Sequence, residues 1–98
     1  MSSPATVWYT HCPVPTAFSI AVERGTIEDA LAERHVPFRS LSQTSDPELR
    51  RAHFTQRAPA LVRHGGNIPV LAARARGEDV RVIGVSWTRF YEPILVRP

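Results

Sequence analysis

Nine prolines in 98 residues, set at junctions instead of pooled in one linker, cut this chain into short elements. Proline has no backbone donor and a fixed φ, so it interrupts ladders and helix interiors but suits a first helical turn. Ala5–Thr10 reads as an opening strand, closed by His11-Cys12-Pro13-Val14-Pro15. Pro15 then opens a helix through Arg24, with Gly25 as its left-handed stop. Thr26-Ile27-Glu28-Asp29 has the form of a capping box and starts a second helix, which Pro37 ends; Ile27, Ala30 and Leu31 form its buried stripe. Phe38–Leu41 reads as a second strand, and Ser45-Asp46-Pro47-Glu48 starts a short helix to about Ala52.

The apolar run Ala58–Val62 leads into Arg63-His64-Gly65-Gly66-Asn67. Asn67 is placed to cap a helix from Ile68 to Arg76, with Ile68, Leu71, Ala72 and Ala75 as its apolar stripe. Arg74 and Arg76 suit the negative end of its dipole. Val80–Val85 is almost continuously apolar, which suits a strand covered on both faces, as in a parallel sheet. Phe90–Val96 reads as a further strand, weakened at Pro93. This order predicts an α/β fold, an open and mostly parallel sheet flanked by helices, with right-handed crossovers. Because the chain stops directly after a strand, it is expected to be a fragment or to pair with another element.

A chain of 98 residues holds one small domain and not two. Its 43% hydrophobic and 21% charged content is that of a globular protein and argues against disorder. The net charge of +3 is carried by twelve arginines and no lysine. The arginines are scattered, and several neighbour an acid (Glu23/Arg24, Glu33/Arg34, Glu48/Arg50/Arg51, Arg76/Glu78), so they read as solvated helix faces and no nucleic-acid partner is expected. One cysteine excludes an internal disulfide and a multi-cysteine zinc site. Met1-Ser2-Ser3-Pro4 has no basic segment with an apolar run behind it, and no stretch is long enough to span a bilayer. No membrane partner and a cytoplasmic location, with a reduced thiol, are therefore expected.

Ligands of open α/β sheets sit beyond the carboxyl ends of the strands, where helices begin and offer free N–H groups. Gly65-Gly66 lets backbone approach a ligand closely, and Arg63 supplies a planar fork for two oxygens of a carboxylate, sulfonate, sulfinate or phosphate. The same residues also fit a plain turn with a surface arginine. Cys12 lies between a strand and a proline-opened helix, a place where a helix dipole lowers a thiol's pKa; a small buried hydrophobe is the ordinary alternative. His11 is adjacent but points the other way on an extended chain, so His53 or His64 is the histidine to meet Cys12; His35 reads as a helix-end residue. A mononuclear metal site of one Cys and several His has no recognisable spacing here, and no metal is expected. The aromatic residues Trp8, Tyr9, Phe18, Phe54, Trp87, Phe90 and Tyr91 mostly read as core. Trp8 and Tyr9 face opposite ways, so one of them lines the cleft, and Tyr9 is placed with the substrate contacts.

Tyr9-Thr10-His11-Cys12-Pro13-Val14-Pro15, His53-Phe54-Thr55, Pro59, Arg63-His64-Gly65-Gly66 and Ile68-Pro69 together resemble the amino-terminal part of the aromatic sulfinate desulfinases. Those enzymes release sulfite from hydroxybiphenyl sulfinate and have the two-domain fold of periplasmic solute-binding proteins. The resemblance runs in order through nearly the whole chain, and implies that residues 1–98 are part of the first domain, with the second absent. It implies that Cys12 is the essential cysteine, protonating the ring carbon that bears sulfur or attacking the sulfur itself. It implies that His53 tunes or relays protons to that site, and that Arg63 and the backbone N–H of Gly66 bind the sulfinate oxygens, with no metal or organic cofactor. Gln56-Arg57-Ala58 stand where the desulfinase carries an aromatic and an acid, His64 replaces an aromatic, and the stretch from Cys12 to His53 is several residues longer. These departures bear on the organic part of the ligand more than on its anionic end.

The leading expectation is thus a desulfinase-like C–S lyase acting on a small anionic sulfur compound. The alternative is a non-catalytic substrate-binding protein of the ABC-transporter type for a sulfonate-like or other small anion, which needs an export signal and has no use for a cysteine at the ligand. A thiamine-pyrimidine synthase relative would share the fold but carry a cysteine-rich metal segment.

Overall fold

The computed structural model describes residues 5–12, 16–86 and 96–98. Three strands, β1 (Val7–His11), β2 (Phe38–Ser40) and β3 (Leu61–His64), form an all-parallel sheet in the order β2-β1-β3. Helices α1 (Ala17–Glu23) and α2 (Thr26–Ala32) connect β1 to β2. A 3₁₀ turn over Leu41–Gln43, then α3 (Pro47–Arg50) and α4 (Ala52–Thr55), lead to β3, and α5 (Ile68–Ala75) follows it.

The topology decides which face each helix covers. The chain moves outward from β1 to β2, then back across β1 to β3. Two crossovers of the same hand that travel in opposite directions must lie on opposite faces of the sheet. The contacts agree. Phe18 of α1 packs against the Tyr9, His11 and His64 rings on one face, whereas His53 of α4 reaches Thr10 on the other.

Local chemistry explains most helix boundaries. Thr16 caps α1 in a reciprocal capping box with Ser19, so the helix begins at Ala17 instead of being opened by Pro15. Gly25 is left-handed at φ 71° and separates α1 from α2, as expected. It also occupies the cap position of α2, so Thr26 is the first helical residue and makes no capping box. That helix ends at Ala32 and not at Pro37, with His35 left-handed at φ 59° in the place a glycine commonly takes. Ile27 and Leu31 are half-buried and Ala30 is exposed. The Asp46 carboxylate accepts from the Glu48 N–H at 2.9 Å and Pro47 sits in the first turn of α3, the expected start.

Three departures change the picture of the sheet. Leu61–His64 is a strand, paired with β1 from Trp8 opposite Leu61 to His11 opposite His64, so Arg63 and His64 lie on a ladder and not in a turn. Val80–Val85 joins no ladder, and Val82, Ile83 and Val85 are exposed, so the strand expected there is absent. The strand expected over Phe90–Val96 falls outside the described residues apart from exposed Val96.

The core is small: Phe38, Leu41, Ala52 and Ala73 are its buried apolar residues among those described. Phe54, expected inside, is 67% exposed. Helix α5 is rotated relative to expectation. It packs on α4 through a face containing Val70 and fully buried Ala73, while Ile68, Leu71, Ala72 and Ala75 are exposed. Asn67 stands at its cap position but makes no side-chain capping bond. An Ala73→Leu substitution inserts three carbons where there is no room, and should lower stability by about 1–3 kcal/mol. Leu71→Ala should change it by no more than about 0.5 kcal/mol. Urea denaturation of the two variants checks this orientation of α5; the reverse ranking would refute it.

Candidate functional site

β1 is followed by helices on one face of the sheet, whereas α5, which follows β3, packs with α4 on the other. Neighbouring strands whose exits diverge in this way open a crevice at their carboxyl ends. That crevice lies between Cys12, directly after β1, and Gly65, directly after β3. The Cys12 N–H donates to the His64 carbonyl at 3.1 Å and carries the pairing of the two strands to their very ends.

Side chains alternate along a strand, and the β1–β3 register decides what shares a face. Thr10 is opposite Arg63, with Cys12 two residues on, so these three belong to the face covered by α4. Tyr9 and His11 belong to the other face, with Val62 and His64 as their partners. Tyr9 stacks on Phe38 at 4.3 Å, and His64 stacks on Phe18 at 5.6 Å. Tyr9 is not placed with Cys12 and Arg63; the His64 ring turns to Phe18, although His64 lines the same cavity as Arg63. Tyr9 is therefore a packing residue behind the sheet, and His53, not His64, is the histidine on the cysteine's face.

Cys12 is half-buried and unpaired by disulfide. A β-carbon on Gly65 would stand 2.7 Å from its Sγ and 3.2 Å from Arg63 Nη2, so the thiol and the guanidinium converge on the space that glycine leaves open. Nothing comparable crowds Gly66. The need for glycine is thus steric at Gly65, a close approach between side chains across the two strand ends.

Arg63 is held by two backbone carbonyls. Its Nε donates to the His53 carbonyl at 3.0 Å and its Nη1 donates to the Gly66 carbonyl at 2.9 Å. It ties the α4 layer to the turn after β3 and presents the Nη2 edge towards Cys12. Beside it, an open cavity of about 370 Å³ is lined by Arg63, Gly65, Gly66, Val70, Leu71 and Val82, among others. Its lining combines Arg63, Arg81 and the Gly65-Gly66 turn with apolar Val70, Leu71 and Val82. Neither Cys12 nor His53 lines it. The first turn of α5 also borders this space with no side-chain cap on its N–H groups, which leaves them for an anion or water.

His53 Nδ1 is 2.8 Å from Thr10 Oγ1. Burial, and secondarily the positive charge of Arg63, hold its pKa below the ordinary imidazole value of 6.5. Thr10 is the contact that the sequence alone did not show; its position near the end of the strand, two residues before Cys12, was the available signal. Among the described residues no group of three or more His, Cys, Asp or Glu is placed to hold a metal ion, and no helix is long and apolar enough to cross a membrane.

The lowered pKa of His53 sets a pH dependence. Below about pH 6.5 the unfolded chain takes up a proton that the folded site resists, so stability falls as the pH drops until the folded pKa is passed. An NMR titration should show the His53 midpoint below 6.5, and Arg63→Gln should move it upward. A midpoint unmoved by that substitution would remove Arg63 as a cause.

No family model matches this chain, nor does any curated protein or solved structure. The functional reading therefore stands on its motifs and on the geometry that joins Cys12, Arg63 and His53.

Proposed function

We propose that this chain supplies the thiol, imidazole and guanidinium of a cytoplasmic desulfinase-type C–S lyase with a solute-binding-protein-like fold. One observation carries the reading: Cys12 Sγ and Arg63 Nη2 meet at the gap left by Gly65. A guanidinium edge recognises two oxygens of a small oxyanion, and a thiol beside it faces the atom that bears them. An anion clamp alone has no use for a thiol at that point. The ordered motifs that resemble the aromatic sulfinate desulfinases support the same assignment of roles.

Besides the sulfinate, the reaction consumes only water. With the sulfinate oxygens on Arg63 and the N–H of Gly66, the Cys12 thiol gives its proton to the carbon that bears sulfur. The C–S bonding pair takes up that proton, and sulfur leaves as sulfur dioxide. Water adds to the sulfur dioxide to give bisulfite, and the proton released returns to the thiolate. His53, kept neutral by burial and by Arg63, is suited to carry that proton in either direction. The apolar side chains of Val70, Leu71 and Val82, which line the cavity beside Arg63, suit an organic group.

Incubation with benzenesulfinate and analysis for sulfite tests this. Sulfite should be released by the protein that carries this chain unaltered and abolished in its Cys12→Ser variant, which still binds the sulfinate; Arg63→Gln should weaken binding by about tenfold or more, as expected on losing a charged hydrogen-bonding partner. Binding of sulfinates and sulfonates with no sulfite release would instead favour an anion-binding protein without chemistry.

A further inference from the structure

We propose that Thr10 is the positioning residue of His53: its hydroxyl holds Nδ1 of the ring, and so reserves Nε2 for proton exchange at Cys12. This rests on the desulfinase reading for its catalytic consequence, but not for its structural content.

Three observations carry it. First, Cys12 directly follows β1, two residues after Thr10 and on the same face, so a ring anchored on Thr10 is anchored beside the thiol. Second, the backbone of His53 is fixed independently of its ring. Its carbonyl accepts from Arg63 Nε at 3.0 Å and from Gln56 Nε2 at 2.7 Å, the latter from a residue left-handed at φ 61°. Third, α4 is a four-residue helix without a side-chain cap, and Phe54 meets the imidazole edge-on at 4.8 Å. These contacts place the residue but do not choose between its two ring nitrogens. Thr10 Oγ1, at 2.8 Å from Nδ1, makes that choice.

A neutral imidazole has one N–H and one lone pair, and a hydroxyl can pair with either at Nδ1, so the contact fixes which nitrogen faces Thr10 and leaves Nε2 free in both tautomers. Threonine suits this task on a strand. It is β-branched, with few χ1 states, and its hydroxyl swings little when the ring exchanges a proton. Valine keeps that shape and removes the hydrogen bond. Serine keeps the hydroxyl and relaxes the shape.

The test uses the intact chain with ¹⁵N-labelled histidine, observed at pH 7.5, together with sulfite release from benzenesulfinate. The unmodified protein should show a His53 Nδ1 resonance shifted by its hydrogen bond. Thr10→Val should move that resonance and lower kcat by about tenfold with KM unchanged, because the anion clamp on β3 is untouched. Thr10→Ser should restore both. Thr10→Ala deletes the same hydroxyl, so the result does not depend on one variant folding. Unchanged His53 nitrogen shifts in the hydroxyl-deleted variants would overturn the proposal, whatever happens to sulfite. If the unmodified protein releases no sulfite yet Thr10→Val moves the Nδ1 resonance, the positioning role stands and the desulfinase reading fails.

Discussion

The register of β1 against β3 is the constraint from which the site follows. Trp8 lies opposite Leu61, Tyr9 opposite Val62, Thr10 opposite Arg63 and His11 opposite His64. A slip of one residue would exchange the two faces, sending Arg63 to the layer of Phe18 and bringing His64 towards α4. The register is held from both sides. Tyr9 and His11 are engaged in an aromatic layer with Phe18, Phe38 and His64, and Thr10 is hydrogen-bonded to His53. β1 is also the central strand, paired with β2 through Val7 opposite Phe38, so its position depends on no single ladder.

The periphery is less well determined than this centre. Buried apolar residues are few, and Ile68, Leu71, Val82, Ile83 and Val85 offer exposed apolar surface around α5 and the segment after it. Each such side chain keeps a burial energy of roughly 1.5–3 kcal/mol unrealised. Stability should therefore be distributed unevenly. Opening should be cheap around α5 and 79–86, where apolar contacts are few, and costlier at β1, which is paired on both edges.

What could be read from the sequence was local, and what could not depended on tertiary choices. Asp46-Pro47 and Gly25 announced a helix start and a helix end through their own backbone chemistry, and the parallel α/β class followed from the order of elements. The orientation of α5 did not follow. Ile68, Pro69, Val70, Leu71, Ala72, Ala73 and Ala75 are apolar around most of its circumference, so a stripe of Ile68, Leu71, Ala72 and Ala75 and one containing Val70 and Ala73 satisfy the same periodicity. Leu61–His64 and Val80–Val85 show the complementary problem. The shorter run, ending in Arg63-His64, is a strand because β1 offers it a partner. The longer and more apolar run has no ladder. At the site, the sequence singled out Cys12, Arg63, Gly65 and His53, and the structure brings Gly65 against Cys12 and Arg63 and ties His53 to Arg63. Alternation alone showed that Trp8 and Tyr9 diverge, but the face of the cysteine was fixed only by the register.

Arg63 shows why these residues act together. Two of its five N–H groups are committed to the His53 and Gly66 carbonyls, which fixes the plane of the guanidinium before any ligand arrives. A fork fixed in advance loses less freedom when it grips an anion, and here the fixing groups are the backbone of His53 and of the glycine turn. With burial, the same charge holds the His53 pKa down, so one side chain acts on the neighbouring imidazole and also ties α4 to the turn after β3. Lysine in its place would keep the charge but lose the planar fork, and with it the link between α4 and the turn that holds Gly65 against Cys12. Charge alone would then be left to do what geometry and charge now do jointly.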